Sequence, residues 1–354
     1  MNLETHLEAL PEHDARDFGR IVRLLKTQPE TEPSPDLCDK ITAQLHKRPK
    51  LPKVWWWAAT AASLAILFSQ SLFRQGSPAV NEDIRWLAKN QEADGTWNPV
   101  RHGGTESFRP ALTALSLLAL QQETGYREQI AKGVSALERM QTASGSFGGD
   151  DGQAQLYNLA VTTFALATCG DSPAVSRAIA HIKASQEPDG SWTYAGTHEG
   201  NVAVTAWMTR ALASAEAHGN TDASIPLRKG LRWLRSHVRD DGRMAYHPQS
   251  APSDTLTALS AHSLLEAGKL FPDLQMLGLR MTDAINIQPS DTAVSDCYRD
   301  YAKILAFEAA GNTASAKVVR DQIRQRRHDN PQDQWHIAGG QLYVAALTSL
   351  SRVL

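Results

Sequence analysis

The sequence predicts an all-α protein. Residues 79–354 are expected to close into an (α/α)6 toroid of six helical hairpins, preceded by one transmembrane helix and a short helical cytoplasmic segment. Three observations carry this reading. A glycine-containing turn returns at Gly95, Gly145, Gly190 and Gly242, at intervals of 50, 45 and 52 residues, a period that marks stacked repeats. The helix before each turn is amphipathic, so one of its faces meets water. The helix after each turn is apolar nearly all round and must be buried on every side.

Composition sets the frame for the rest. The 354 residues are 42% hydrophobic and 21% charged, which is ordinary for a folded chain. A formal net charge of −2 supplies no basic surplus, so nucleic acid is excluded as the expected partner. The 3 cysteines, Cys38, Cys169 and Cys297, are too scattered for a disulfide framework or a cysteine-rich zinc module.

Residues 1–53 read as two short amphipathic helices. Phe18, Ile21, Val22 and Leu25 mark a face of the first; Leu37, Ile41 and Leu45, behind Asp36 as N-cap, mark the second. The PETEPSP stretch between them stops any helix. Val54 to Phe73 then carry no charge, about the length that crosses a ~30 Å hydrocarbon core. Trp55, Trp56 and Trp57 open this run, and Lys47, Arg48, Lys50 and Lys53 precede it. Indole rings favour the membrane interface, and basic residues stay on the cytoplasmic side. The expectation is a single-pass protein of a bacterial inner (cytoplasmic) membrane, with its N-terminus in the cytoplasm and its toroid extracytoplasmic, on the periplasmic side. A signal peptide fits less well, because its basic region is short.

This order of a helical pair, a Pro-rich break, SPDLCDKITAQLHKRPK and a Trp-led span resembles the membrane-proximal part of single-span anti-sigma factors. The resemblance implies a sigma factor as partner of residues 1–53. Many such proteins bind zinc through one His and two Cys; here only Cys38 and His46 are present, so zinc is not implied.

The repeat units read WLAKNQEADGTW from Trp86, LERMQTASGSF from Leu137, IKASQEPDGSW from Ile182 and WLRSHVRDDGRM from Trp233, the last with Val238 in place of the Gln. The buried helices that follow them begin at Pro110, Leu159, Val202 and Thr255. Two further units are worn: MTDAINIQPSD before YAKILAFEAAG, and IRQRRHDNPQDQW before LYVAALTSLSRVL. Pro110 suits a first helical turn, and Ser172-Pro173 reads as an N-cap followed by Pro at N1. An open stack would need a polar cap at each end. The apolar last helix has none, so the first hairpin is expected to cover it.

QEADGTW, QTASGSF and QEPDGSW are similar to the Gln-to-Trp repeats of squalene and other terpenoid cyclases, and the same toroid occurs in protein prenyltransferase β subunits. The resemblance covers residues 79–354. It implies a cavity inside the barrel and, for an enzyme, an isoprenoid or lipid substrate. The catalytic groups do not carry over. The cyclase acid is an Asp-x-Asp-Asp run, whereas Asp150-Asp151 and Asp240-Asp241 are only pairs in turns. At 7% aromatic residues, few rings remain to line a carbocation cavity. The prenyltransferase zinc triad keeps approximate matches at Asp296 and Cys297 only, with no His near Tyr343, and catalytic zinc needs three protein ligands. No cofactor is therefore expected.

One constellation remains. His102, His198, His247 and His336 each precede a buried helix, as do Glu106, Tyr157, Glu199, Asp254, Asp296 and Cys297 or lie at its start. Around one mouth of a barrel, with helix N-termini pointing inward, these residues are a candidate polar pocket for a ligand or protein partner. Two readings follow. One is a non-catalytic, membrane-anchored toroid that binds a ligand or partner outside the cytoplasm and signals across the membrane in the manner of an anti-sigma factor. The other is a terpenoid cyclase or prenyltransferase-like enzyme.

Overall fold

A computed structural model describes residues 81–148, 152–193, 199–247, 249–269, 271–288, 296–329 and 339–353. The chain divides into two units between Gln75 and Gly76. The expected cytoplasmic helices and the span at 54–73 lie outside the described residues. Among the described residues no helix is long and apolar enough to cross a membrane.

Twelve α-helices follow one another with no named strand among the described residues. They are α1 (Asn81–Lys89), α2 (Arg109–Leu120), α3 (Arg127–Met140), α4 (Gly152–Ala167), α5 (Pro173–Ala184), α6 (Val202–Ala217), α7 (Ser224–Ser236), α8 (Asp254–Gly268), α9 (Pro272–Asp283), α10 (Cys297–Ala309), α11 (Thr313–Asp329) and α12 (Gly340–Val353). The even-numbered helices form the inner row. Each packs on the next, α2 on α4 and so on through α10 on α12, and α12 returns to pack on α2. The ring is closed. At the seam α12 also packs on α1, and Arg352 pairs with Asp83 at 3.4 Å.

The inner row is held by burial. In α2 every residue from Pro110 to Leu120 is buried, and α6 and α8 are nearly as enclosed. Ala, Ser and Thr at many of these positions let the helices approach closely. The outer helices bury a stripe and expose the rest: α7 buries Leu227, Leu231, Trp233 and Leu234 while Arg228, Lys229 and Arg235 face water. Helix starts are capped as the sequence suggests. Ser172, Asn201, Ser253 and Asp296 each accept a hydrogen bond from the backbone N–H three residues on.

The repeated turns are stitches between neighbouring hairpins. The Gln91 amide donates to the Gly95 carbonyl at 3.0 Å and to Gln129 at the start of α3 at 2.9 Å. Gln141 does the same to Gly145 and Ala174, and Gln186 to Gly190 and Pro226. The indoles of Trp97 and Trp192, wholly buried, donate back to the Leu87 and Ile182 carbonyls at 2.7 and 2.9 Å. Glycine is required twice over here. Gly145 has φ +90°, and a Cβ on it would lie 2.3 Å from the Arg177 carbonyl oxygen. In the fourth unit, where Val238 cannot donate, the Arg280 guanidinium from α9 reaches the Arg239 and Asp240 carbonyls at 3.0 and 3.2 Å.

Candidate functional site

The inner helices run in one direction, so the barrel has two unlike ends. Their N-termini meet the long stitched loops; their C-termini meet short glycine turns. Eight of the ten residues proposed from sequence are described; they belong to the first end, and the structure brings only some of them together. His247 Nδ1 lies 3.1 Å from an exposed Glu199 carboxylate. Asp254 pairs with Arg243 at 2.9 Å and with the buried Lys303 at 3.2 Å, which ties α8 to α10. Glu106 is spent on Arg109 in a two-pronged ion pair at 2.6 and 2.7 Å. His102 packs edge-on against Trp86, 4.9 Å between ring centres, and burial holds it below its ordinary pKa. His198 and His336 lie outside the described residues.

Asp296 caps α10 through the Arg299 amide at 3.0 Å. Cys297 is buried beside it, and burial, reinforced by the Asp296 and Asp300 charges, pushes its thiol up to about 12. Such a thiol is not a thiolate at neutral pH. Among the described residues no three His, Cys, Asp or Glu side chains gather as a metal site. The Asp240-Asp241 pair is exposed in its turn; Asp150-Asp151 lie outside the described residues. Cys169 follows the C-terminus of α4, while Cys297 opens α10 at the other end.

The barrel axis corrects the expectation that few aromatic rings are left for the interior. Tyr157 and Phe164 from α4, Trp207 from α6, Tyr298 and Tyr301 from α10 and Tyr343 from α12 form an interlocked layer. Tyr157 and Phe164 meet Trp207 edge-on at 6.0 and 6.3 Å, and Tyr301 stacks on it at 6.4 Å. The Trp207 indole donates to the Tyr298 hydroxyl at 2.7 Å. Burial, with Tyr157 and Tyr298 alongside, holds the Tyr343 phenol well above its ordinary value, so it stays protonated. The helices contribute one or two rings each, which is why no aromatic cluster shows in the sequence.

Beyond this layer, toward the C-terminal ends of the inner helices, lies a cavity of about 580 Å³. Leu118, Ile130, Leu305 and Leu350 form its apolar walls, and Gln121, Thr168 and Cys169 lie at the level of the short turns. None of the eight described residues proposed from sequence lines it. Its floor carries the residue that sequence reasoning missed. Arg210 is 7% exposed. Its guanidinium lies over Phe164, Trp207 and Tyr301, 4.6, 4.5 and 5.8 Å from the ring centres, and one amino group donates to the Tyr301 hydroxyl at 3.2 Å. Nε and Nη1 are buried without a hydrogen-bond acceptor. No carboxylate of the described residues is in ion-pair reach. The signal was present in VAVTAWMTRALASA: one charge inside a helix that must be buried on all sides, where an unpaired arginine is rare.

A family model for the squalene-hopene cyclase C-terminal domain matches residues 110–253, from the start of α2 to the N-cap of α8. Among solved structures, a protein from Actinoplanes is similar with a TM-score of 0.52 at 15% identity, over 77% of this chain and 97% of its own. A family 76 glycoside hydrolase from a bovine Bacteroides thetaiotaomicron strain is similar with a TM-score of 0.52 at 11% identity, over 77% and 76%. No curated protein matches the chain in sequence.

Proposed function

We propose that the toroid, terpenoid cyclase-like in a fold that does not fix an activity, is a non-catalytic ligand-binding module, carried outside the cytoplasm on a single membrane span, whose ligand enters between the C-terminal ends of the inner helices. The observation that supports this reading is the chemistry of the cavity wall. It contains one cation, two amides, two hydroxyls, a thiol and apolar groups, with no carboxyl or imidazole among its described lining residues. Cyclisation by protonation needs a positioned acid, and glycoside hydrolysis ordinarily needs two carboxylates across the scissile bond. A pocket of this size and polarity is of the kind that holds a small molecule.

Residues 1–53 are then a cytoplasmic partner segment, with a sigma factor as the partner that the resemblance suggests. Ligand occupancy transmits across the membrane only if the ligand binds two states of the toroid unequally.

The test is a thermal-shift and calorimetric screen of the full-length protein in nanodiscs against apolar small molecules. Saturable binding, with no change in the ligand after prolonged incubation, is the expected result. Steady conversion of a prenyl diphosphate or a polyene would replace this reading with the enzyme.

A further inference from the structure

A buried charge without a counter-ion is costly, because the ion gives up its hydration. Arg210 recovers part of this cost from the three aromatic faces around it. The recovery is incomplete, since Nε–H and Nη1–H have no acceptor. Among the described residues no other ionised side chain lines the cavity. His262 on α8, near enough to feel the guanidinium, is held neutral by burial and does not share its charge.

Resting on the binding reading above, we propose that the ligand is an amphiphile with a single carboxylate, seated with its acid group on Arg210 and its apolar body between Leu118, Ile130, Leu305 and Leu350. Charge arithmetic selects one acid group. A single guanidinium neutralises a monocarboxylate, whereas an alkyl diphosphate would bring one or two further charges into a wall that offers none to match. Orientation follows from the helices. The inner helices present their carbonyl ends at the mouth, which repels an anion there and admits one only at the depth of Arg210. The acid group therefore enters first, and the apolar tail points outward.

The experiment uses full-length protein in nanodiscs, with empty nanodiscs subtracted, titrated with decanoate, decanol and decyl diphosphate below their aggregation limits. Decanoate is expected to bind at least tenfold more tightly than decanol. Arg210→Gln should remove that preference while decanol binding persists. Because Arg210→Gln can disturb the aromatic layer, Gln121→Glu provides a second test: it places an anion at the mouth without touching the floor. It should weaken decanoate several-fold and leave decanol unchanged. Equal binding of decanoate and decanol, or a preference that survives both substitutions, overturns the anion assignment while leaving a binding cavity. Tightest binding by decyl diphosphate overturns the monocarboxylate class. No binding of any probe overturns the binding reading as well.

Discussion

The two ends of the barrel are built from the same hairpins and solve different problems. At the N-terminal end of the inner row, three turns reach a Gln amide into the neighbouring hairpin and bury a Trp or Phe, and a Cβ on Gly95, Gly145 or Gly190 would strike a backbone carbonyl. At the other end, Gly125, Gly170, Gly219 and Gly311 have φ between +73° and +120° with nothing within 4 Å of where a Cβ would stand. One end is a set of interlocking joints; the other is a rim of free-standing turns around a cavity. Repetition therefore concentrates stability at one end and leaves the other free to vary, as binding surfaces on rigid scaffolds commonly do.

Substitutions at the two ends test this contrast directly. The largest effect is expected at the stitched end: Trp192→Ala should cost about 3–5 kcal/mol in chemical denaturation, as deletion of a fully buried indole does. Next is a matched pair. Gly145→Ala meets both the φ penalty and the Arg177 carbonyl and should cost about 2–4 kcal/mol. Gly219→Ala has φ +98° and open space around it, and should cost ~1 kcal/mol. Equal losses from the pair would break the comparison. Gln186→Ala removes both donations and leaves the Gly190 and Pro226 carbonyls short of a donor, at about 1–3 kcal/mol.

The smallest effect is pH-dependent and belongs to the interior. Burial first, then the Arg210 and Lys269 charges, holds His262 well below its ordinary 6.5. The folded state keeps this imidazole neutral while the unfolded chain takes up a proton as pH falls below 6.5. Its stabilising contribution is thus complete above that pH and declines below it, by up to ~1.4 kcal/mol per pH unit. Denaturation midpoints between pH 7.5 and 5.5 should show this slope in the wild type and a shallower one in His262→Gln.

The stitched end was legible in the sequence because its parts are local. Gln, Gly and Trp or Phe fall within seven residues, and the repeat multiplies the signal. The open end was not legible. Arg210 shares its site with Phe164 and Tyr301, each on a different inner helix, and only closure of the ring brings them together. At the other mouth, the two described histidines of the sequence constellation stand apart. His102 packs on Trp86, and His247 stands with Glu199 at the surface.

The Arg352–Asp83 pair places the last helix of the ring beside the first. A short linker across that seam would restore the covalent circle, so the chain can be opened elsewhere. Gly219 is the natural place: a circular permutant starting there should retain the ring, whereas one starting at Gly190 would sever a stitch. Such a permutant would also move the fusion points to the end of the barrel formed by the C-termini of the inner helices, away from the stitched joints.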